Sequence, residues 1–214
     1  MSKGESRDVE SRLIHTEGLR NRDRYQLLTS LVVPRPIAWV SSRSPDGVPN
    51  LAPFSYFAAL SATPLLIGVS IGSRRGAAKD TLRNIREIGT FCVNIVTEHH
   101  LEAMNISSGD HPPEVDEFQV AGAGMAEAEV VSAPYVAGCP AVFECSVREE
   151  VALSEAGNVF VIAQVVAIRL SNDLPLLAGS FFVDPEVLRP VSRLGGESYA
   201  KLGTVQSIAR PAPR

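Results

Sequence analysis

Residues 141–153 and 159–170 are two long runs of β-forming side chains, separated only by a short polar stretch that contains Glu155-Ala156-Gly157-Asn158. Branched and aromatic residues suit a pleated surface, and Gly157-Asn158 supplies the backbone freedom that a tight reversal demands. Strands joined this closely can only pair antiparallel. Shorter β-type runs occur at residues 37–42, 50–57, 65–71 and 91–96, with a last one expected at 176–182. The helical stretches between them are too few and too short to serve as regular crossovers. The pattern therefore points to a mainly β fold, about six strands in an antiparallel barrel with short helices, and away from a doubly wound parallel sheet.

Proline and glycine punctuate the chain. Pro34-Arg35-Pro36 forbids a helix before residues 37–42, and Pro45-Asp46-Gly47 is a turn. Pro53 has no N–H to donate, so the run 50–57 belongs at an edge, at a bulge or at a bend facing a ligand. A helix is predicted over Asp80–Ile88, with Gly89 placed to end it, and a second short one over residues 98–106. Residues 26–29 read as a short turn. The domain is expected to span 25–203, after a lead-in at 1–24 and before a flexible tail at 204–214.

Hydrophobic residues make up 45% and charged residues 21% of the 214, as in soluble globular proteins. A net charge of −4 argues against a nucleic-acid partner. No apolar run is long enough to span a membrane, and the first residues lack a secretory apolar region, so a cytoplasmic location is expected. Cys92, Cys139 and Cys145 form no Cys-x-x-Cys and lie in or beside apolar runs, so they read as buried thiols.

Charge is unevenly spread. No Lys or Arg occurs between Arg86 and Arg148, whereas Arg74, Arg75, Lys79 and Arg83 cluster around the expected start of the helix at Asp80. Unpaired N–H groups and a partial positive charge at a helix N-terminus suit a phosphate. A solvated helix face would give the same charge pattern. The segment Asn50-Leu51-Ala52-Pro53-Phe54-Ser55 is either an ordinary edge strand or a backbone lining for a flat heteroaromatic with polar edges.

Other chemistries lack support. There is no Gly-x-Gly-x-x-Gly after a strand, no Walker-type phosphate loop and no nucleophile elbow around a serine. His99 and His100 are adjacent, which is poor spacing for a shared metal, so they read as exposed helical residues and no metal is expected. His111, in a loop beside Pro112, either has no role or lines a pocket as a proton donor.

Three segments carry a family resemblance: residues 34–42 (Pro-Arg-Pro-Ile-Ala-Trp-Val-Ser-Ser), residues 50–57 (Asn-Leu-Ala-Pro-Phe-Ser-Tyr-Phe), and Lys79-Asp80-Thr81 with Asn84-Ile85. It continues through Met104-Asn105, Asp116-Glu117-Phe118, Cys139-Pro140, and Arg193 to Gly196 with Tyr199. Over about residues 25–203 the chain resembles the flavin reductase-like proteins with an FMN-binding split barrel, in particular the flavoredoxin-type branch.

The resemblance implies a six-stranded antiparallel Greek-key split barrel and a homodimer with FMN near the subunit interface. It implies that Ser41 and Ser42 lie beside the flavin and that Asn50, Leu51, Ala52, Pro53, Phe54 and Ser55 run along the isoalloxazine edge. Ser70, Arg75 (or Arg74), Lys79 and Thr81, with Asp80 among them, would surround the phosphate. Arg193 and Tyr199 would reach a flavin pocket. NADH or NADPH would act as a transient hydride donor to FMN, and a monooxygenase component as a partner. Gln164 and His111 depart from the branch, where a Glu and an aromatic residue are usual. On these grounds the expected function is an NAD(P)H-dependent FMN reductase. An electron-carrying flavoprotein and an FMN-dependent enzyme acting on an organic substrate, with His111 as proton donor, are the alternatives.

Overall fold

The structure, a computed structural model, describes residues 10–74 and 76–211. Its centre is one antiparallel sheet of seven strands: β1 (Ala38–Arg43), β2 (Pro49–Phe54), β3 (Phe57–Ala62), β4 (Leu65–Ile71), β5 (Thr90–Ile95), β6 (Ala141–Ala152) and β7 (Val159–Leu170). The spatial order is β2-β1-β5-β6-β7-β4-β3. Strands β5, β6 and β7 lie side by side, and β4 returns beside β7, which is a Greek-key arrangement.

The two edges of this sheet, β2 and β3, are consecutive in the sequence and joined only by Ser55 and Tyr56. A sheet whose edges are tethered by two residues has to curl back on itself without zipping shut. Inside the curl, Val40 and Phe54 from one flank pack with Ile67, Val69 and Val161 from the other. Helix α2 (Asp80–Ile88) plugs this interior with Leu82 and Ile85. Each such side chain contributes about 1.5–3 kcal/mol on burial.

The outer face of β1, β2 and β5 has a second core, in which Trp39, Leu51 and Cys92 are covered by Met104 and Phe118. These come from α3 (Leu101–Ile106) and α4 (Glu117–Ala121). The Trp39 indole donates to Ser107 Oγ at 2.9 Å and so pins the loop that follows α3. A small three-stranded sheet, Arg35–Pro36 with Ser192–Arg193 and Tyr199–Ala200, draws the C-terminal segment back to the start of β1.

The sequence pattern errs in three places. The run 50–57 is two strands, because the chain bends at Ser55-Tyr56 and re-enters the sheet on its other edge, giving seven strands in place of six. Residues 26–29 are not a turn but part of α1 (Asn21–Leu31), at whose C-terminal end Arg35, just beyond the helix, donates to Thr29 O and Val32 O. Residues 176–182 form no strand: Leu177 N donates to Phe182 O, Gly179 adopts a φ of 73°, and only Leu176 and Val183 make a bridge. Cys92, Cys139 and Cys145 are buried thiols, as expected. Burial pushes Cys92 up to about 12 and Cys139 to about 11.

Candidate functional site

Strand β2 is an edge strand, one of the three placements that the missing N–H of Pro53 allows. Its inner side pairs with β1 from Ala38↔Phe54 to Arg43↔Pro49. On the open side, Leu51 N donates to Glu117 Oε2 at 3.1 Å, and Pro53 has nothing to donate. Backbone groups alternate along a strand, so the carbonyls of Leu51 and Pro53 face the same open side. A groove runs along this edge in two small cavities of about 100 and 190 Å³ that share Pro53 and Ser108.

One end of the groove is polar and charged. It is lined by Arg74, Lys79, Asp80 and Thr81 on one side and by His111 and Glu117 on the other. Four buried side chains fix α2 there. Asn50 Nδ2 donates to Thr81 Oγ1 at 2.9 Å and to Ser42 Oγ at 3.3 Å, and Asn84 Nδ2 donates to Ser42 Oγ at 3.2 Å. Thr81 therefore accepts from Asn50 and keeps its own proton to donate. The N-cap residue of α2, Lys79, makes no side-chain capping hydrogen bond. Leu82 N donates to Lys79 O, so the N–H groups of Asp80 and Thr81 are the ones placed to meet an anion.

The basic cluster is not uniform. Arg83 pairs with Asp80. Arg74 pairs with Asp110 and donates to His111 O at 2.8 Å, which latches the loop after α3 to the residues following β4. Lys79 sits over the Phe54 ring at 5.5 Å and has no carboxylate within 4 Å among the described residues.

Two further groups face this end. Glu117 is buried, and its pKa is raised, chiefly by desolvation and also by Asp80, against the opposing Leu51 hydrogen bond. His111 Nε2 is buried and has no hydrogen-bond partner among the described residues. A buried polar atom left without a partner costs about 1–3 kcal/mol. Glu117 is the groove residue that reading by motif passed over. Its only trace in the sequence is Asp116-Glu117-Phe118, where Asp116 is the N-cap of α4 and accepts from Phe118 N at 2.9 Å.

The other end is more apolar and aromatic, lined by Tyr25, Ile37, Met104 and Tyr199 together with Ser55 and Arg193. Arg193 stacks on Tyr199 at 4.5 Å and bonds to its hydroxyl and to Gly196 O. Tyr199 in turn donates to Asn105 Oδ1 at 2.9 Å. Behind Ser55, Arg35 is 5% exposed and has no carboxylate partner among the described residues. Its guanidinium instead donates to Thr29 O at 2.7 Å, Val32 O at 2.8 Å and Leu194 O at 2.9 Å.

The structure thus gathers Asn50, Ala52, Pro53, Arg74, Lys79, Asp80, Thr81 and His111 around one cavity, and Pro53, Ser55, Arg193 and Tyr199 around the adjoining one. Ser41 lies outside both: it is fully buried, donating to Pro134 O at 2.7 Å. Ser42 is also fully buried, beneath Asn50. The side chains of Leu51 and Phe54 are in the two cores, so they offer only backbone. Ser70 pairs with Phe160 and lines neither cavity. Arg75 lies outside the described residues. His99 is exposed, but His100 is half-buried, held by Thr97 Oγ1 at 2.9 Å, and burial lowers its pKa.

Residues 30–180 match the model of the flavin reductase like domain. The chain belongs to that family. A solved structure of nitrilotriacetate monooxygenase component B from Bacillus cereus is 34% identical, covers 94% of this chain and 100% of that one, and superposes with a TM-score of 0.88. A 2-nitrobenzoate 2-nitroreductase from Pseudomonas fluorescens is 28% identical, over 94% and 96% of the two chains, with a TM-score of 0.85. A split-barrel structure from Shewanella frigidimarina shares the fold at 22% identity, over 91% and 95%, with a TM-score of 0.80. The curled seven-stranded sheet is thus a split barrel, and the family is one of flavin-dependent oxidoreductases.

Proposed function

We propose that this protein binds FMN in the groove along β2 and acts as an NAD(P)H-dependent flavin reductase. The observation that supports this most is the groove itself: one open sheet edge with an uncapped helix start and Lys79 at one end and aromatic side chains at the other. Bound FMN supplies the two-electron redox chemistry. Lys79, the Thr81 hydroxyl and the backbone N–H groups of Asp80 and Thr81 would hold its phosphate by charge-assisted hydrogen bonds. A carbonyl of Leu51 or Pro53 would accept from the ring N–H of the flavin, while Ala52 and Pro53 would form an apolar wall. Hydride delivery from NADH or NADPH needs no side-chain acid or base, so the residues here position two rings and exclude water.

The neighbour from Bacillus cereus, a monooxygenase component B, supports a monooxygenase as recipient of reduced flavin. We further infer a cytoplasmic homodimer; Phe181 and Phe182, 94% and 74% exposed, are surface that a second copy would cover. A second reading has one observation of its own. His111 and Glu117, both able to move protons, face the same cavity, as an FMN-dependent enzyme reducing an organic substrate would require.

The test is the visible spectrum of the purified protein, with the cofactor identified by mass, followed by steady-state oxidation of NADH and NADPH with added FMN. Flavin bands and sustained turnover are expected. Failure to bind added FMN overturns the reading. Turnover only when a nitroaromatic acceptor is added selects the second one.

A further inference from the structure

One wall of the groove is a strap, residues 107–116, which runs from the C-cap of α3 to the N-cap of α4. Its first five residues line the polar cavity together with Asn50, Lys79 and Thr81. The strap is rooted at both ends in the second core: Ser107 Oγ accepts from the Trp39 indole at 2.9 Å, and Phe118, just past the far end, is fully buried. Between these roots, Ser108 N donates to Asn105 O, Gly109 N to Ile106 O and Val115 N to Pro112 O. Those bonds shape the loop without attaching it to the opposite wall. Arg74 does attach it, by pairing with Asp110 and donating to His111 O at 2.8 Å. Arg74 belongs to a short hairpin, Ser73–Arg74 with Ala77–Ala78, that leads directly into Lys79 and α2. The chain that enters one wall of the cavity is thereby tied to the strap that forms the other.

We propose that the Arg74–Asp110 pair is a gate that sets how fast flavin enters and leaves the groove, with Arg74 a positioning residue of the strap and not a ligand of the cofactor. This rests on the reading of the groove as a flavin site. The Nε and Nη1 donors of Arg74 are already spent on Asp110 and on His111 O. The two side chains are 33% and 60% exposed. Pairs this exposed are weak and screened by salt, so the strap can open while both cores stay packed.

The latch is made wholly of protein atoms, so it obstructs entry as much as exit. Loosening it raises both rates and leaves the affinity nearly unchanged, which separates a gate from a binding contact. The consequence is functional. A reductase that passes reduced flavin to another protein has to let it go, whereas an electron-carrying flavoprotein has to keep it. The strength of this one contact helps to decide between the two.

The experiment follows flavin fluorescence by stopped flow, as FMN or riboflavin binds to and is displaced from wild type, Arg74→Gln, Asp110→Asn and the double variant. Salt is set at about 0.01 and 1 M, where charges are screened beyond about 30 and 3 Å. Each single variant is expected to raise the association and dissociation rates of both flavins by about fivefold at low salt, with Kd moving by less than about twofold. The double variant should match the single ones, because either change breaks the same pair. Riboflavin carries no charge, so faster riboflavin exchange at high salt in wild type, lost in the variants, is the mark of an ion pair within the protein. Asp110→Asn carries the test by itself if Arg74→Gln does not fold. Weaker binding of FMN but not riboflavin in Arg74→Gln, with wild-type exchange in Asp110→Asn, would make Arg74 a phosphate ligand and overturn the proposal. Wild-type exchange rates in both variants overturn it too, while leaving flavin binding intact. Failure of wild type to bind either flavin overturns the underlying reading as well.

Discussion

The two ends of the groove are built in different ways. The polar end takes its cation and helix start from one short segment, residues 74–81, and uses a local device, the unpaired N–H groups of a helix start next to Lys79. The aromatic end brings together Tyr25, Met104 and Tyr199, parts of the chain remote from one another, and is held by Arg35 reaching α1, Ser55 and Leu194 at once. At the first end the groups that face the cavity keep donors to spare. At the second they are already bonded to one another, as Arg193, Tyr199 and Asn105 show. A site of this form grips its ligand by charge at one end and by shape at the other.

The sharpest way to break this comparison is to remove Arg35. Arg35→Met should leave the carbonyls of Thr29, Val32 and Leu194 without a donor and destabilise the protein by about 3 kcal/mol in urea unfolding. In whatever fraction stays folded, FMN and riboflavin should weaken alike, because both present the same ring to that end. A stability loss no larger than that of a surface substitution would mean that the aromatic end does not depend on this cation.

Lys79→Ala tests the opposite end. It should weaken FMN by about 30-fold, close to 2 kcal/mol, and riboflavin hardly at all, with little change in stability because Lys79 is exposed. Equal losses for both flavins, read by fluorescence titration, would move the phosphate away from α2.

The smallest effect concerns Glu117. A carboxyl whose folded pKa is raised contributes stability that is fully present below its unfolded pKa and is lost as pH rises through the folded value. Glu117→Gln keeps an oxygen to accept from Leu51 N but cannot ionise. Its thermal stability should fall less than that of wild type as pH rises above the ordinary carboxylate range. Identical pH profiles would show that Glu117 does not titrate differently in the folded protein.

Legibility in the sequence follows the same division. The long hairpin of β6 and β7 was evident because its two runs are separated by a few turn residues, and α2 because Asp80 opens it and Gly89, at a φ of 77°, closes it. Pro53 left the run an edge, a bulge or a bend, and the sheet order shows the edge. The bend at Ser55-Tyr56 was invisible, since residues 50–57 remain β-forming across it and only the return to the far edge of the sheet marks the break. The expected strand at 176–182 had apolar residues but no neighbouring strand to pair with, and Gly179 turned it.

Among the candidate residues, the place of Lys79 and Thr81 at a helix start was legible, whereas the burial of Ser41 and Ser42 was not. Their hydroxyls are consumed by Pro134 and by Asn50 and Asn84. The sequence by itself determined which segments are strands or helices and where charge is concentrated, because periodicity, proline and glycine act over a few residues. Only the tertiary structure decided that Arg74 is a latch, that Arg83 is occupied, that Glu117 meets the edge of β2 and that His111 Nε2 is left without a partner. Those outcomes depend on which distant side chain reaches a given polar atom first, and no local pattern encodes that.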